Sequence, residues 1–243
     1  MQLQTSTWQE VEAYLEGSKG VIIPIGSTEQ HGPTGLIGTD AITAEVIAAR
    51  AGEISGALVA PTIAVGMAEH HMGFPGSMTL RPSTLVSVIC DNVHSLARHG
   101  FTRMMFVNGH GGNIGTVNGA FYEAYATAPA GCEFHCRLVN WFTGRKVGAL
   151  AEELYGNSEG GHATPSEVAV TQAIYPDAIK SGVLEPKVAP SGRFYGPEDF
   201  RRRFPDGRIG SDPSLATPEH GDRFIEIAAR SVADAYAEFL AEE

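Results

Sequence analysis

The chain has 243 residues, 43% of them hydrophobic and 19% charged, the make-up of a water-soluble globular protein long enough to bury a core without staples. Lys and Arg number 17 against 28 Asp and Glu, a formal charge of −11, and that sign argues against nucleic acid as a partner. No apolar run approaches the roughly 18 residues of a membrane span, no basic-then-apolar leader opens the chain, and three cysteines make no disulfide framework, so no membrane and a cytoplasmic location are expected.

In chain order, Thr7 or Ser6 ahead of "WQEVEAYLEG" predicts a short capped helix. "GVIIPIG", 20–26, is a continuous apolar run between glycines, the pattern of a strand buried on both faces. "STEQHGPTGLIGTD", 27–40, is a glycine-rich loop carrying Glu29, His31 and Asp40. The alanine-rich segment after it has helical spacing, so Asp40 is expected at or near a helix N-terminus. "GALVAPTIAVG", 56–66, predicts a second buried strand, and "EHHMGFPGSMTL", 69–80, a loop leading into a short edge strand or turn. A helix is predicted over 81–100, opened by Pro82 and Ser83 and stopped by Gly100.

"FTRMMFVNGHGGN", 101–113, reads as a strand and a glycine-rich turn with His110 at its tip, followed by a helix and a strand over 133–140. At 164–176 Thr164 fits a helix cap, Pro165 the first turn and Glu167 the far member of a capping box. The Gly/Pro-rich stretch 181–216 predicts an irregular excursion. Its basic cluster "RRRFPDGR", 201–208, reads as a solvated loop or subunit contact. A long terminal helix is predicted over 217–240. Strands alternating with helices give an α/β fold, one domain over 1–243, with a mostly parallel sheet between two helical layers.

In such a sheet, ligands bind beyond the carboxyl ends of the strands. Glu29 and His31 follow the first predicted strand, His71 the second and His110 the third. Trp141 ends the fourth, and His162 and Glu167 lie in the loop and helix start after it. Each has an ordinary structural reading taken alone: a loop histidine or a helix cap. "NGHGGN" lacks the glycine spacing of a dinucleotide loop. Together, Glu29, Asp40, Glu167, His31 and His110 supply three carboxylates and two imidazoles, a donor set suited to two divalent ions with one carboxylate bridging. Such a pair can hold a hydroxide at neutral pH, ready to attack an amide carbon.

"GSTEQHGPTGLIGTD", "HMGFPGSMTL", "VNGHGGN", "GGHATPSE" and "GSDPSLATPEHG" resemble, in order and over roughly residues 8–240, the signature blocks of the creatininase family, the creatinine amidohydrolases and their relatives. The resemblance implies a single-domain three-layer α/β/α fold and a binuclear zinc or manganese site, with iron also admissible. It further implies hydrolysis of a carbon–nitrogen bond in a small cyclic amide or formamide, and a homohexamer. Position by position, it makes Glu29 and His110 ligands of one ion, His31 a ligand of the other and Asp40 the bridge. His162 becomes the catalytic proton donor to the leaving nitrogen. His71 and Trp141 are placed on the substrate pocket.

Two departures from the family pattern stand out. Creatininase proper carries Tyr-Glu after the metal histidine, where this chain has Gly111 and Gly112. Glu167, five residues after His162, is the candidate for the missing carboxylate. Creatininase proper also has a tryptophan four residues before its catalytic histidine, where this chain has Ser158. A substrate other than creatinine is therefore expected, among amides of the kind cleaved by formamide hydrolases. The alternative is a non-enzymatic α/β module that binds a metabolite or assists another protein's maturation, with a structural metal.

Overall fold

The computed structural model describes residues 1–242. Strands β1 (Gly20–Ile25), β2 (Leu58–Val59), β3 (Arg103–Asn108) and β4 (His135–Asn140) form one parallel sheet in the order β2-β1-β3-β4. Eight α-helices accompany them among the described residues: α1 (Trp8–Gly17), α2 (Thr39–Ser55), α3 (Pro82–Arg98), α4 (Ile114–Ala126), α5 (Arg145–Tyr155), α6 (Pro165–Ile174), α7 (Gly196–Arg203) and α8 (Pro218–Leu240). Among the described residues no helix is long and apolar enough to cross a membrane.

The period-2 geometry of a strand splits each apolar run between two cores. Ile22, Met105 and Val107 pack with α2, α5 and α8, through residues such as Ile47, Leu150 and Phe224. Val21, Ile23, Ile25, Met104 and Phe106 pack on the other face against α3 and α4, through Leu85, Ile89, Val117 and Phe121. Both faces are covered, and this is why β1 and β3 carry unbroken apolar sequences.

The helix signals in the sequence act as expected. Thr7 accepts from the Glu10 N–H while the Glu10 side chain accepts from the Thr7 N–H, a complete capping box for α1. Pro82 opens α3, and Thr217 caps α8. Three expectations need correction. The strand over 56–66 pairs only at Leu58 and Val59, with a single further bridge at Ile63. Pro24 has no N–H to give on that side of β1, so only its carbonyl pairs there, accepting from the Ile63 N–H at 3.0 Å. Residues 145–155, for which the sequence reading gives no helix, form α5, whose N-cap Gly144 offers no side-chain signal. The irregular stretch 181–216 contains α7.

Of the basic cluster, Arg201, Arg202 and Arg203 are exposed on α7, but Arg208 is fully buried. Its guanidinium donates to the carbonyls of Lys187 (2.8 Å), Pro186 (2.8 Å) and Ser211 (3.0 Å) and to Asp206 Oδ2 (2.9 Å). Arg208 is therefore a clamp that organises the excursion, and neither solvated nor open to a partner.

The chain runs from β1 outward to β2 and then returns to the other side of β1 for β3. The switch point lies between β1 and β3, where open α/β sheets place ligands. Two glycines bring the start of α2 against it. A Cβ on Gly109 would stand 2.1 Å from the Asp40 carbonyl oxygen, and one on Gly26 would stand 2.4 Å from the Ala41 nitrogen. Both contacts are to backbone, which cannot rotate away. Gly109→Ala is expected to lower stability by about 1–3 kcal/mol, as overpacking does, and to push Asp40 out of place. Urea unfolding measures the first effect, and an unchanged midpoint would show that α2 is free to shift.

Candidate metal centre

Glu29, His31, Asp40, His110, His162 and His71 are all buried, and Glu167 is nearly so. The loop after β1 delivers Glu29 and His31, the first turn of α2 delivers Asp40, the turn after β3 delivers His110, and the first turn of α6 delivers Glu167. His31 Nε2 lies 3.2 Å from Asp40 Oδ1 and 3.7 Å from Glu167 Oε1. His110 Nδ1 lies 3.3 Å from Asp40 Oδ2, and its Nε2 lies 3.2 Å from Glu29 Oε2. All five residues named as candidate ligands from the sequence thus converge on one spot.

Hydrogen bonds settle which imidazole nitrogens are free. His31 Nδ1 donates to the Glu29 carbonyl at 3.1 Å, and His110 Nε2 donates to the Met67 carbonyl at 2.8 Å. The nitrogen left over on each ring faces a different oxygen of Asp40. Histidines that bind metal are held this way, with the second nitrogen donating to a carbonyl. Glu29 Oε1, His31 Nε2 and Asp40 Oδ2 are buried and make no well-formed hydrogen bond among the described residues, although the His71 ring nitrogen stands 3.0 Å from Glu29 Oε1. Buried polar atoms rarely go unsatisfied. Glu29, His31 and Asp40 have donor atoms within 4.8 Å of one another, as do His31, His162 and Glu167. The residues present therefore fit divalent ions.

Gly112 makes room for the His110 ring. A Cβ there would stand 2.3 Å from His110 Nε2 and 2.7 Å from the Met67 carbonyl. The seat of the His110 ring therefore requires glycine, and the third carboxylate of the cluster stands on α6. Glu167 serves there twice, since Oε1 also accepts from the Thr164 N–H at 2.6 Å as the capping-box partner.

His162 lies beside this cluster. Ser211 Oγ donates to its carbonyl at 2.7 Å, and it bridges to Ile209. The next residue, Ala163, has φ 52, a left-handed conformation that an alanine adopts only where its surroundings impose it. Burial holds the His162 imidazole well below its ordinary pKa, with His31 adding to the effect, so the ring is neutral. A cavity of about 510 Å³ opens over the cluster, walled by His70, His71, Phe142, Glu159, Phe194 and Ile209. Trp141, expected on this wall, is 2% exposed in the core, with its indole N–H donating to Thr43 Oγ1 at 3.2 Å; Phe142 takes the wall position instead. Sequence reasoning missed His70, whose ring stacks on Phe194 at 5.0 Å. It also missed Gln30, the residue between two candidate ligands.

The charges of the cluster oppose one another. Burial alone would lower the His31 pKa, but Asp40 and Glu167 outweigh it and raise it to about 10. Burial, with Asp40 against His31, raises Glu167 to about 7, and burial with Asp40 also pushes Glu29 up. His31 stabilises the metal-free fold fully below about 6.5 and loses that contribution as pH rises through about 10. Glu167, also raised, stabilises below about 4.5 and loses its contribution as pH rises through about 7. Ion binding needs both groups deprotonated and so strengthens over the same range. The difference in Tm between metal-loaded and chelated protein is expected to widen from about pH 5 to about pH 9; calorimetry showing a constant gap would contradict this.

A sheet with helices on both faces and a buried carboxylate–imidazole cluster at its switch point defines an α/β protein with a metal-capable site. The family model described as Creatininase: Creatinine amidohydrolase matches residues 4–236, and the chain belongs to the creatininase family. A creatinine amidohydrolase of Pseudomonas putida is 28% identical over 247 residues, covering 96% of this chain and 94% of that protein. A mycofactocin precursor peptide peptidase of Mycolicibacterium smegmatis is 30% identical over 241 residues, covering 96% and 89%. The solved structure described as "Creatininase Mn" superposes with a TM-score of 0.83 at 27% identity, over 99% of both chains.

Proposed function

We propose that this chain is a metal-dependent amidohydrolase that cleaves a carbon–nitrogen bond in a small cyclic amide or formamide. Asp40 carries the reading, because its two oxygens face nitrogens of two separate imidazoles, His31 Nε2 and His110 Nδ1. That is the arrangement for a carboxylate shared by two ions. Glu29 and His110 would hold one ion, and His31 and Glu167 the other. When bound, such ions supply Lewis acidity to a carbonyl and lower the pKa of water toward neutrality.

The chain's own residues supply the rest. His162 Nε2 donates to the Gln30 carbonyl at 2.8 Å, which leaves Nδ1 as its free nitrogen, 3.8 Å from Glu29 Oε1. There it takes up a proton and returns it to the departing nitrogen, which leaves poorly as an anion. His71 closes the floor of the cavity, and His70 with Phe194 forms an aromatic side wall suited to a flat substrate. A cavity of this size beside the ligands favours catalysis over a structural metal, whose coordination is filled by protein. It also favours a small substrate over the peptide named for the mycobacterial relative.

The test is elemental analysis of the purified chain, followed by a screen of cyclic amides and formamides for ammonia, formate or ring-opened product. Bound divalent metal with turnover of one such compound is expected. A metal-loaded chain that cleaves none of them, or no metal at all, would overturn the reading.

A further inference from the structure

Gln30 stands between Glu29 and His31 in sequence, and it is 6% exposed. Two backbone groups set the orientation of its amide. Oε1 accepts from the Gly32 N–H at 2.8 Å, so it is the oxygen; Nε2 donates to the Gly207 carbonyl at 3.0 Å, so it is the nitrogen. Gly207 makes room for this, since a Cβ there would stand 1.9 Å from Gln30 Oε1. Nε2 has one hydrogen left and two neighbours, His71 Nδ1 at 2.8 Å and His162 Nε2 at 3.0 Å.

His162 Nε2 also lies 2.8 Å from the Gln30 backbone carbonyl, which can only accept. That nitrogen therefore carries a proton and cannot receive another. The remaining Gln30 hydrogen goes to His71 Nδ1, which must be a lone pair. The proton of neutral His71 then sits on Nε2, 3.0 Å from Glu29 Oε1. A nitrogen that keeps its proton is no metal ligand, so the grouping of Glu29, His71 and His162 is excluded as an ion seat, although their donor atoms lie within 4.8 Å of one another.

We infer that Gln30 is a positioning residue that holds the two cavity histidines in opposite roles, its side chain making His71 an N–H donor beside Glu29 and its carbonyl leaving His162 Nδ1 bare for proton transfer. The sequence offers no route to this assignment, because the partners stand 41 and 132 residues away. The role in turnover rests on the amidohydrolase reading, but the two tautomers do not.

The test is long-range ¹⁵N–¹H NMR of the imidazoles in zinc-loaded protein, joined to kinetics of Gln30→Glu. Wild type is expected to show a bare Nδ1 with a protonated Nε2 on both His71 and His162. In Gln30→Glu a carboxylate replaces the donor, and His71 is expected to switch to the Nδ1-protonated form while His162 stays as it was. Zinc content should be retained. kcat should fall by about 10–100-fold, the usual cost of losing an outer-shell partner, with little change in KM. A protonated His71 Nδ1 in wild type would overturn the inference even if the variant fails to fold. Lost turnover without the switch, or the switch without lost turnover, would also overturn it. Turnover surviving in His162→Ala would instead sink the amidohydrolase reading and leave the tautomers standing.

Discussion

Replacing His162 with alanine is expected to lower kcat by about 10²–10⁴-fold, the range for removing a positioned acid–base group, and to leave metal content unchanged. On the proposed reading the ring acts on substrate rather than as a ligand, its Nε2 bound to the Gln30 carbonyl and its Nδ1 3.8 Å from Glu29 Oε1. With Nε2 donating to the Gln30 carbonyl, Nδ1 is the nitrogen left to take a proton and give it back. The fold has other supports there: Ser211 holds the backbone carbonyl of residue 162, and the bridge to Ile209 is backbone-mediated. Steady-state kinetics with metal analysis separates the outcomes. Full activity would remove His162 from the reaction, and lost metal would make it a ligand.

Glu167→Gln is expected to lose one ion of the pair and keep the other. Glutamine still serves as a capping-box partner, so α6 keeps its start and the change isolates the carboxylate's role beside His31. Affinity at that ion should fall by more than the ~10–100-fold typical of an outer-shell loss, and turnover should fall with it. Both ions retained at stoichiometry would exclude Glu167 and return the missing carboxylate to an unknown donor.

Much of the layered fold was legible because its signals are local. The apolar runs of β1 and β3 and the threonine-proline starts of α6 and α8 each lie within a few residues. β2 was over-read because its ladder depends on Pro24, a residue in a different strand. α5 was missed because a glycine at its N-cap gives no side-chain signal, although Val147, Leu150 and Ala151 have helical spacing. In the site, residue types that bind metal announce themselves, and strand order places them on one edge. Gln30 and Arg208 do not, because an amide and a guanidinium are usually solvated and only long-range partners make these two structural. Trp141 misled for the opposite reason, since an aromatic at a strand end fits core and pocket equally well.

Anomalous diffraction from crystals of the metal-loaded chain tests the central claim most directly. The account predicts two peaks flanking the Asp40 carboxylate, one shared with His31 and Glu167 and the other with Glu29 and His110. A single peak, or none between these side chains, would contradict it.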